Sequence, residues 1–234
     1  MIVGVLVPAA GLGVRLGPGG PKALRELAGE PLLLHAVRGL RAAPSVGPVV
    51  VAAPPSEVEA VAELLDGLDV TVVAGGAERQ DSVRLALAAL PADVELVLLH
   101  DAARCLTPVT VVEAVVAALV AGADAVVPVL PVADTVKQVD GNRVFATIDR
   151  SVLRAVQTPQ GFRRDVLEKA HAAGPAPATD DAGLVEVLGV PVVTVAGDDE
   201  AFKVTRPLDL LLAEALIAVR GPAEGRHGGG RHAR

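Results

Sequence analysis

Two cationic side chains, Arg15 and Lys22, lie seven residues apart in a glycine-rich loop after the first apolar run of the chain. The loop spans Val7 to Leu24 and contains five glycines and three prolines. Glycine allows positive φ and lets the backbone approach a ligand closely, so such a loop usually binds something. Arginine can hold phosphate oxygens with two parallel hydrogen bonds, and lysine acts as a point charge. The loop therefore predicts a polyphosphate ligand.

Neither of two familiar nucleotide-binding motifs matches this loop. A Walker A loop needs Ser or Thr directly after its lysine, whereas Ala23 follows Lys22. The dinucleotide fingerprint G-x-G-x-x-G is approached by Gly11, Gly13 and Gly17, but the second gap is one residue too wide. The pattern favours a long segment that wraps around phosphates.

Two further candidate regions follow predicted strands. Asp101 ends an apolar run, where an acidic side chain is an uncommon packing choice. The turn "GGAERQDSV", Gly75 to Val83, opens a predicted helix. The alternative for Asp81 or Ser82 is a purely structural role as a helix-capping residue.

The segments that must position these residues alternate between short valine-rich runs and longer runs of helical periodicity. Near-continuous apolar strands separated by helices are typical of a parallel sheet covered on both faces, so we predict an α/β fold with a Rossmann-like, mostly parallel sheet. Ligands bind such sheets at the carboxyl ends of the strands, where the glycine loop lies. The predicted strands are Ile2–Val7, Val49–Ala53, Val70–Val73, Leu96–Leu99, Ala125–Val129 and Pro191–Val195. The predicted helices are Leu32–Ala43, Glu57–Leu65, Gln80–Leu90, Pro108–Ala121, Arg164–Ala172, Asp181–Leu188 and Leu208–Val219.

Residues 131–160 interrupt this pattern with period-two alternation and a predicted turn at Asp140 to Asn142. We predict a β-hairpin arm that projects from the sheet and either caps a site or pairs with another subunit. Residues 1–219 then form a single domain. Residues 220–234, rich in Gly, Arg and His, form a disordered tail.

Composition argues against several functions. Aromatic residues make up 1% of the chain and the net charge is −7, which together disfavour a nucleic-acid binder. The single cysteine, Cys105, excludes an internal disulfide and fits a reducing compartment. The apolar start lacks a charged leader, and the longest apolar run, around Ala114 to Ala123, is too short to span a bilayer. We expect a soluble, cytoplasmic protein.

Seven motifs occur in the order found in the 2-C-methyl-D-erythritol 4-phosphate cytidylyltransferase family, which the chain resembles from about Val3 to Val219. The resemblance implies a homodimeric enzyme of non-mevalonate isoprenoid synthesis. It would transfer CMP from CTP to 2-C-methyl-D-erythritol 4-phosphate, with release of pyrophosphate. Mg²⁺ prefers a few carboxylate or phosphate oxygens, so Asp101 and the triphosphate would suffice to hold it. The motifs are "PAAGLGVRL…PKAL", "GGAERQDSV", "HDAAR", "DTVK", "DR…TPQGF", "TDDA" and "FKVTRPLDL".

The resemblance also implies roles for individual residues. The arm would cross to a second subunit, so that Arg150 serves the acceptor site of its neighbour. The implied catalytic residues are Arg15, Lys22, Lys203 and Arg150. The implied nucleotide-binding residues are Ala9, Ala10, Gly11, Gly13, Gly76, Ser82, Asp101 and Ala102. The implied acceptor-binding residues are Arg104, Asp134, Thr135, Arg150, Thr158 and Thr179.

Two positions depart from the family pattern. Cys105 replaces a usual proline after Arg104, which could loosen that turn. Val14 replaces a frequent second basic residue, which bears on CTP affinity.

Three alternatives to this function stay open. A ribitol 5-phosphate or other polyol-phosphate cytidylyltransferase more often has "DAVR" where this chain has "DAAR". A non-catalytic nucleotide-binding module would be expected to lose Arg15, Lys22 or Lys203, and all three are present. A glycosyltransferase would need an Asp-x-Asp motif at a strand end, where none occurs.

Overall fold

The computed structural model describes residues 1–11, 16, 20–173 and 180–220. Each predicted strand and helix is present, with ends within two residues of their predicted positions. The strands are β1 (Ile2–Pro8), β2 (Glu26–Leu27), β3 (Glu30–Pro31), β4 (Val49–Ala53), β5 (Val70–Ala74), β6 (Val94–Leu99), β7 (Ala125–Pro131), β8 (Val136–Asp140), β9 (Arg143–Ile148), β10 (Arg154–Val156), β11 (Gln160–Arg163) and β12 (Val192–Ala196). The α-helices are α1 (Leu32–Arg41), α2 (Val58–Leu64), α3 (Arg79–Ala88), α4 (Val109–Val120), α5 (Arg164–Ala172), α6 (Asp181–Val187) and α7 (Pro207–Arg220).

The main sheet is mostly parallel, which confirms the predicted α/β class. Strands β6, β1, β4 and β5 are parallel neighbours in that order. Strand β11 joins β6 to β7 and is antiparallel to both, so β6 and β7 run in the same direction. Strand β12 is parallel to β7. The six predicted strands therefore direct their carboxyl ends to one edge of the sheet.

Both faces of this sheet are covered, as the apolar strands predict. Along β1, Val5 and Val7 pack in the apolar cluster that includes α1 and α4, whereas Leu6 packs with α3, α5 and α6. A smaller cluster joins α7 to the segment after β6 through Ala213 and Cys105. Because helices cover both faces, the carboxyl edge of the sheet stays open. The loops after the parallel strands β1, β5 and β6 meet at this edge.

The hairpin arm is shorter than the predicted segment 131–160. Strands β8 and β9 form a separate two-stranded sheet, and residues 141–142 make its turn. Strand β10, in the second half of the predicted arm, instead runs antiparallel beside β7, and Gln160, the last residue of the predicted arm, pairs with β6 as the first residue of β11. Period-two alternation identified strands correctly, but alternation does not indicate which strand is the partner.

No helix among the described residues is long and apolar enough to cross a membrane. Helix α7 includes Arg220, the first residue of the predicted tail. Residues 221–234 lie outside the described residues, so the disordered tail stays a prediction.

Candidate active site

The candidate active site is a cleft of about 240 Å³ at the carboxyl edge of the sheet. The segments that follow β1, β5 and β6 form its walls, because parallel strands direct their loops to one edge. Every described residue that was predicted to bind nucleotide lines it, together with Lys22 and Lys203. The lining residues are Pro8, Ala9, Ala10, Gly11, Lys22, Ala23, Gly76, Ala77, Glu78, Arg79, Ser82, Asp101, Ala102, Ala103 and Lys203.

Lys22 enters the cleft beside Gly11. The Lys22 amide donates to the Gly11 carbonyl at 3.2 Å. Lys22 then begins a short 3-10 helix whose Ala23 is buried. Gly13 and Arg15 lie outside the described residues, and their implied roles stay predictions.

The turn before α3 is held in shape by its own side chains. Ser82 Oγ accepts from the Gly76 amide at 3.1 Å and donates to the Glu78 carbonyl at 3.2 Å. Glu78 and Asp81 form a reciprocal capping box, which confirms the interpretation of Asp81 as a capping residue. A β-carbon on Gly76 would lie 2.2 Å from that of Asp81, so this position requires glycine. The turn therefore presents backbone groups of Gly76 and Ala77 to the cleft in a fixed arrangement.

Asp101 is surrounded by cations. Its Oδ2 accepts from Lys203 Nζ at 2.7 Å, and Arg104 Nε lies 4.0 Å from the same oxygen. Arg79 Nη2 lies 3.8 Å from Oδ1. Burial alone raises the pKa of Asp101, but Lys203, Arg79 and Arg104 outweigh burial and lower the pKa to about 2. The carboxylate is therefore ionised at neutral pH.

The buried side chain of Thr158 fixes the backbone of Asp101 and contacts the buried ring of His100. Thr158 Oγ1 accepts from the Asp101 amide at 3.0 Å and lies 3.3 Å from His100 Nδ1. Burial lowers the pKa of His100 to about 4, so its ring is neutral at pH 7. Thr158, implied as an acceptor-binding residue, is 5% exposed, and its hydroxyl positions Asp101. Direct contact of Thr158 with the acceptor stays a prediction.

The Arg104 guanidinium is bonded to the protein backbone. Its Nη1 donates to the Ala201 carbonyl at 2.8 Å and its Nη2 to the Val156 carbonyl at 3.1 Å. Burial lowers the pKa of Arg104, with Asp101 acting in the opposite direction. These bonds tie the segment after β6 to β10 and to the chain just before Lys203. The implied contact of Arg104 with the acceptor phosphate stays a prediction.

Arg79, the first residue of α3, lines the cleft although the sequence analysis did not single it out. Its Nη1 donates to Oδ2 of Asp181, and Oδ1 of Asp181 lies 3.0 Å from His171 Nε2. Burial alone lowers the pKa of Arg79, but Asp181 and Asp101 outweigh burial and raise it. The sequence offered two signals for this pair, Arg79 as the one arginine of "GGAERQDSV" and Asp181 as the second aspartate of "TDDA". Their contact could not be predicted, because it joins distant segments.

Cys105 does not line the cleft. It is 5% exposed, and burial raises the pKa of its thiol to about 12, so little thiolate exists at neutral pH. The turn before it is closed by the Arg104 amide, which donates to the Asp101 carbonyl at 2.8 Å. The next turn is closed by the Thr107 amide, which donates to the Arg104 carbonyl at 3.2 Å. These hydrogen bonds close the turns on both sides of Cys105 without the usual proline. Val14, the other departure from the family pattern, lies outside the described residues.

The implied acceptor-binding residues of the arm are not among the described residues that line the cleft of the same chain. Asp134, Thr135 and Arg150 are exposed near the base of the hairpin. The Arg150 Nη1 donates to the Ala133 carbonyl. Thr179 lies outside the described residues. Among the described residues, one chain therefore brings together those predicted to bind the nucleotide but not those of the arm predicted to bind the acceptor.

The cleft has little capacity to bind a metal by protein side chains alone. Among the described residues there is no group of three or more His, Cys, Asp or Glu side chains arranged to hold a metal ion. Asp101 Oδ1 lies 3.8 Å from Arg79 Nη2, beyond hydrogen-bonding distance, so this oxygen could supply one ligand. Mg²⁺ keeps several waters and often binds through substrate phosphates. The donor set therefore fits an ion that arrives with a nucleotide.

Comparison with known proteins shows which family this chain resembles. The 2-C-methyl-D-erythritol 4-phosphate cytidylyltransferase family model matches residues 3–219. A relative of that name from Frankia casuarinae is 61% identical, over 95% of this chain and 84% of its own length. One of the same name from Saccharopolyspora erythraea is 59% identical, over 93% of this chain and 100% of its own. The crystal structure of the Thermus thermophilus enzyme is 41% identical, with a TM-score of 0.77 over 92% of this chain and 98% of that one.

Proposed function

The chain belongs to the 2-C-methyl-D-erythritol 4-phosphate cytidylyltransferase family, whose members transfer CMP from CTP, and we propose that its two substrates react in the cleft that contains Lys22, Asp101 and Lys203. One observation carries this proposal. The cations Lys22, Arg79 and Lys203 line the cleft, and two of them, Arg79 and Lys203, lie beside the ionised carboxylate of Asp101. Two polyanionic substrates can approach each other only where cations offset their mutual repulsion.

The reaction is an in-line displacement. A phosphate oxygen of the acceptor attacks the α-phosphorus of CTP. The bond from that phosphorus to the bridging oxygen breaks, and pyrophosphate leaves with the electron pair. Because no protein nucleophile is needed, the protein aligns the two reactants and neutralises charge. We assign Lys22 and Arg15 to the transferring and leaving phosphates, and Lys203 to the substrate phosphates.

The turn from Gly75 to Ser82 is assigned to cytosine recognition. A pyrimidine is distinguished by hydrogen bonds to its Watson–Crick edge, and the fixed backbone of Gly76 presents suitable groups to the cleft. Ser82 supports this turn through its hydroxyl. The small side chains of Ala9, Ala10 and Ala102, with Gly11, let the backbone approach the rest of the nucleotide.

The acceptor site is proposed to be completed by a second copy of the chain in a homodimer. The arm is the support for this assignment, because Val144 and Phe145 on β9 are 62% and 77% exposed. Exposed apolar side chains grouped on one element often mark an interaction surface. In such a dimer Arg150, with Asp134 and Thr135, would reach the acceptor of the neighbouring site. Arg104, Thr158 and Thr179 would complete it from within the chain.

Mg²⁺ is the proposed cofactor. Asp101 Oδ1 would supply one ligand, and the CTP phosphates and water would supply the others. When bound, the ion offsets negative charge on the triphosphate. Lys203 and Arg79 keep the carboxylate ionised and therefore able to bind the ion.

A cytoplasmic location is also proposed. The only cysteine of the sequence, Cys105, has a buried thiol with a raised pKa. A protein without disulfides fits a reducing compartment. Fractionation of the source cells, with an antibody to the chain, tests this location.

An assay of pyrophosphate release tests the function and the acceptor together. Purified protein, CTP and Mg²⁺ are combined with 2-C-methyl-D-erythritol 4-phosphate, ribitol 5-phosphate or other polyol phosphates. We expect the highest kcat/KM with 2-C-methyl-D-erythritol 4-phosphate. A higher value with ribitol 5-phosphate would favour the related pentitol-phosphate enzyme, and no release with any acceptor would contradict the proposal.

A further inference from the structure

Behind the cleft, three side chains from separate helices form a line of contacts that ends at Asp101. His171 on α5 lies 3.0 Å from Oδ1 of Asp181, the first residue of α6. Oδ2 of Asp181 accepts from Nη1 of Arg79, 102 residues away on α3. Nη2 of Arg79 in turn lies 3.8 Å from Asp101 Oδ1.

The middle of this line is closed off from water. The side chain of Asp181 is 0% exposed and that of His171 is 3% exposed. Burial alone raises the pKa of Asp181, but His171 and Arg79 outweigh burial and lower it, so the carboxylate is ionised. A buried ion pair is often no more stabilising than a well-packed apolar pair of similar volume. Stability therefore does not explain why a carboxylate occupies this position.

The position of Arg79 supplies an explanation. Its side chain is 37% exposed and lines the cleft, so it is the member of the line that a substrate can reach. Asp181 holds Nη1 from behind, which leaves Nη2 directed to the side where Asp101 lies. Arginine pairs well with phosphate because its planar group offers several donors in a rigid arrangement.

Lys203 creates the need for such a fixed cation. Its Nζ is bonded to Asp101 Oδ2, so one of its three donors and part of its positive charge are already engaged by this carboxylate. Arg104 also lies near Asp101, but its two Nη atoms donate to backbone carbonyls. Arg79 supplies a further cation beside Asp101, and Asp181 holds it in place.

We propose that Arg79 is a further nucleotide-contacting residue of the active site, and that Asp181 and His171 are positioning residues that hold its guanidinium toward the cleft. The inference rests on the function proposed above. Arg79 gives the triphosphate of CTP a cation whose location is set by the buried carboxylate of Asp181. Asp181 acts through Arg79, and His171 acts through Asp181.

Arg79→Gln tests the contact itself. Loss of a charge-assisted hydrogen bond to phosphate should raise the KM for CTP about tenfold or more, with the KM for the acceptor changed less. Arg84→Gln is the matched control, because Arg84 is on the same helix and pairs with Asp81 outside the cleft. Wild-type protein that releases no pyrophosphate would refute the proposed function. Active wild type with an unchanged KM for CTP in Arg79→Gln would refute only this inference.

A pair of substitutions at His171 tests positioning from a distance. His171→Gln keeps a donor near the place of Nε2, whereas His171→Leu removes it. We expect His171→Leu to raise the KM for CTP by about threefold and His171→Gln to stay near wild type, because Gln can still donate to the ionised Asp181, and a hydrogen bond to an ionised acceptor is about twice as strong as a neutral one. Thermal unfolding of both variants reports the change in packing separately. If both variants have the wild-type KM, or both change it equally, His171 does not position Arg79.

A double-mutant cycle tests whether Asp181 acts through Arg79. Asp181→Asn alone should raise the KM for CTP, but it should add nothing in the Arg79→Gln background. Additive effects of the two substitutions would mean that Asp181 acts independently, which overturns the proposal. If Asp181→Asn does not fold, the same cycle is measured with His171→Leu in its place.

Discussion

The Nζ of Lys203 lies 2.7 Å from Oδ2 of Asp101, although 102 residues separate them in the sequence. The segments after β6 and after β12 thus supply opposite charges to one cleft. The Asp101 side chain is only 15% exposed, so salt screens this pair less than it screens a surface pair. A substrate phosphate that contacts this ammonium group shares its charge with Asp101, which makes the pair part of the substrate-binding equilibrium.

Asp101→Asn should change how the free energy of unfolding depends on pH. The pKa of Asp101 is lowered from 3.8 to about 2, so its ionised form stabilises the folded state by about 2 kcal/mol above roughly pH 4. That contribution is lost as the pH falls through about 2. Urea unfolding of wild type and variant should show a constant difference in unfolding free energy down to about pH 5, and a shrinking one below about pH 4. A difference that does not vary with pH would contradict the assigned pairing.

Lys22→Ala should lower kcat by about two to three orders of magnitude, because a cation that stabilises transition-state charge is typically worth roughly 3–4 kcal/mol. Lys169→Ala is the control, since Lys169 pairs with Asp165 on the exposed face of α5. Circular dichroism should show an unchanged fold in both variants. A Lys22→Ala enzyme with more than about half of the wild-type kcat would remove this lysine from the mechanism. The same result is predicted for Arg15→Ala from the sequence.

CTP should be preferred over ATP and GTP. The turn and the first loop are packed closely, because a β-carbon on Gly75 would lie 2.7 Å from that of Ala10. This leaves little room for a purine beside Gly76 and Ser82. Steady-state kinetics with each nucleotide at saturating acceptor test the preference, and a kcat/KM for ATP comparable to that for CTP would disprove it.

Gly76→Ala should raise the KM for CTP and destabilise the protein by about 1–3 kcal/mol, the usual cost of overpacking. The new β-carbon would lie 2.2 Å from that of Asp81, so the turn must move. Gly39→Ala is the control. A β-carbon on Gly39, in helix α1, would lie 3.8 Å from the nearest atom, the Thr107 carbonyl oxygen, so alanine there should slightly stabilise the helix. Urea unfolding and CTP kinetics of both variants measure the two effects. Wild-type stability and KM in Gly76→Ala would show that the turn is adaptable.

Arg150→Ala should raise the KM for the acceptor about tenfold or more and change the KM for CTP far less, because a cation–phosphate contact is lost. The proposed dimer makes a sharper prediction. If each site uses Arg150 of the neighbouring chain, one site of a mixed dimer of Lys22→Ala and Arg150→Ala carries both defects and the other carries neither.

Mixing these two impaired variants should therefore restore part of the activity after subunit exchange, measured at an acceptor concentration well below the KM of Arg150→Ala. Exchange is followed by fluorescence transfer between labelled chains, and mixing two samples of the same variant is the control. If exchange occurs and no activity returns, Arg150 serves its own chain and the crossed-arm dimer is wrong.

Local pattern in the sequence was sufficient for six strands of the main sheet, for the α-helices and for the loops that meet at the cleft. Apolar runs such as Ile2–Val7 predicted buried parallel strands, because only a sheet covered on both faces accepts them. Parallel strands place their following loops at one edge, which brought Lys22, Ser82 and Asp101 together as expected. Lys203 was expected there from the family resemblance.

Only the tertiary structure decided which side chains meet behind that edge. The line from His171 through Asp181 to Arg79 joins three helices, and the Thr158 hydroxyl turns out to hold the amide of Asp101. The return of the arm into the main sheet as β10 and β11 was likewise missed. Periodicity records which face of an element is buried, because apolar side chains favour burial whatever their partners are. It does not record a partner, because specific pairing depends on the distances that packing sets between segments far apart in the chain.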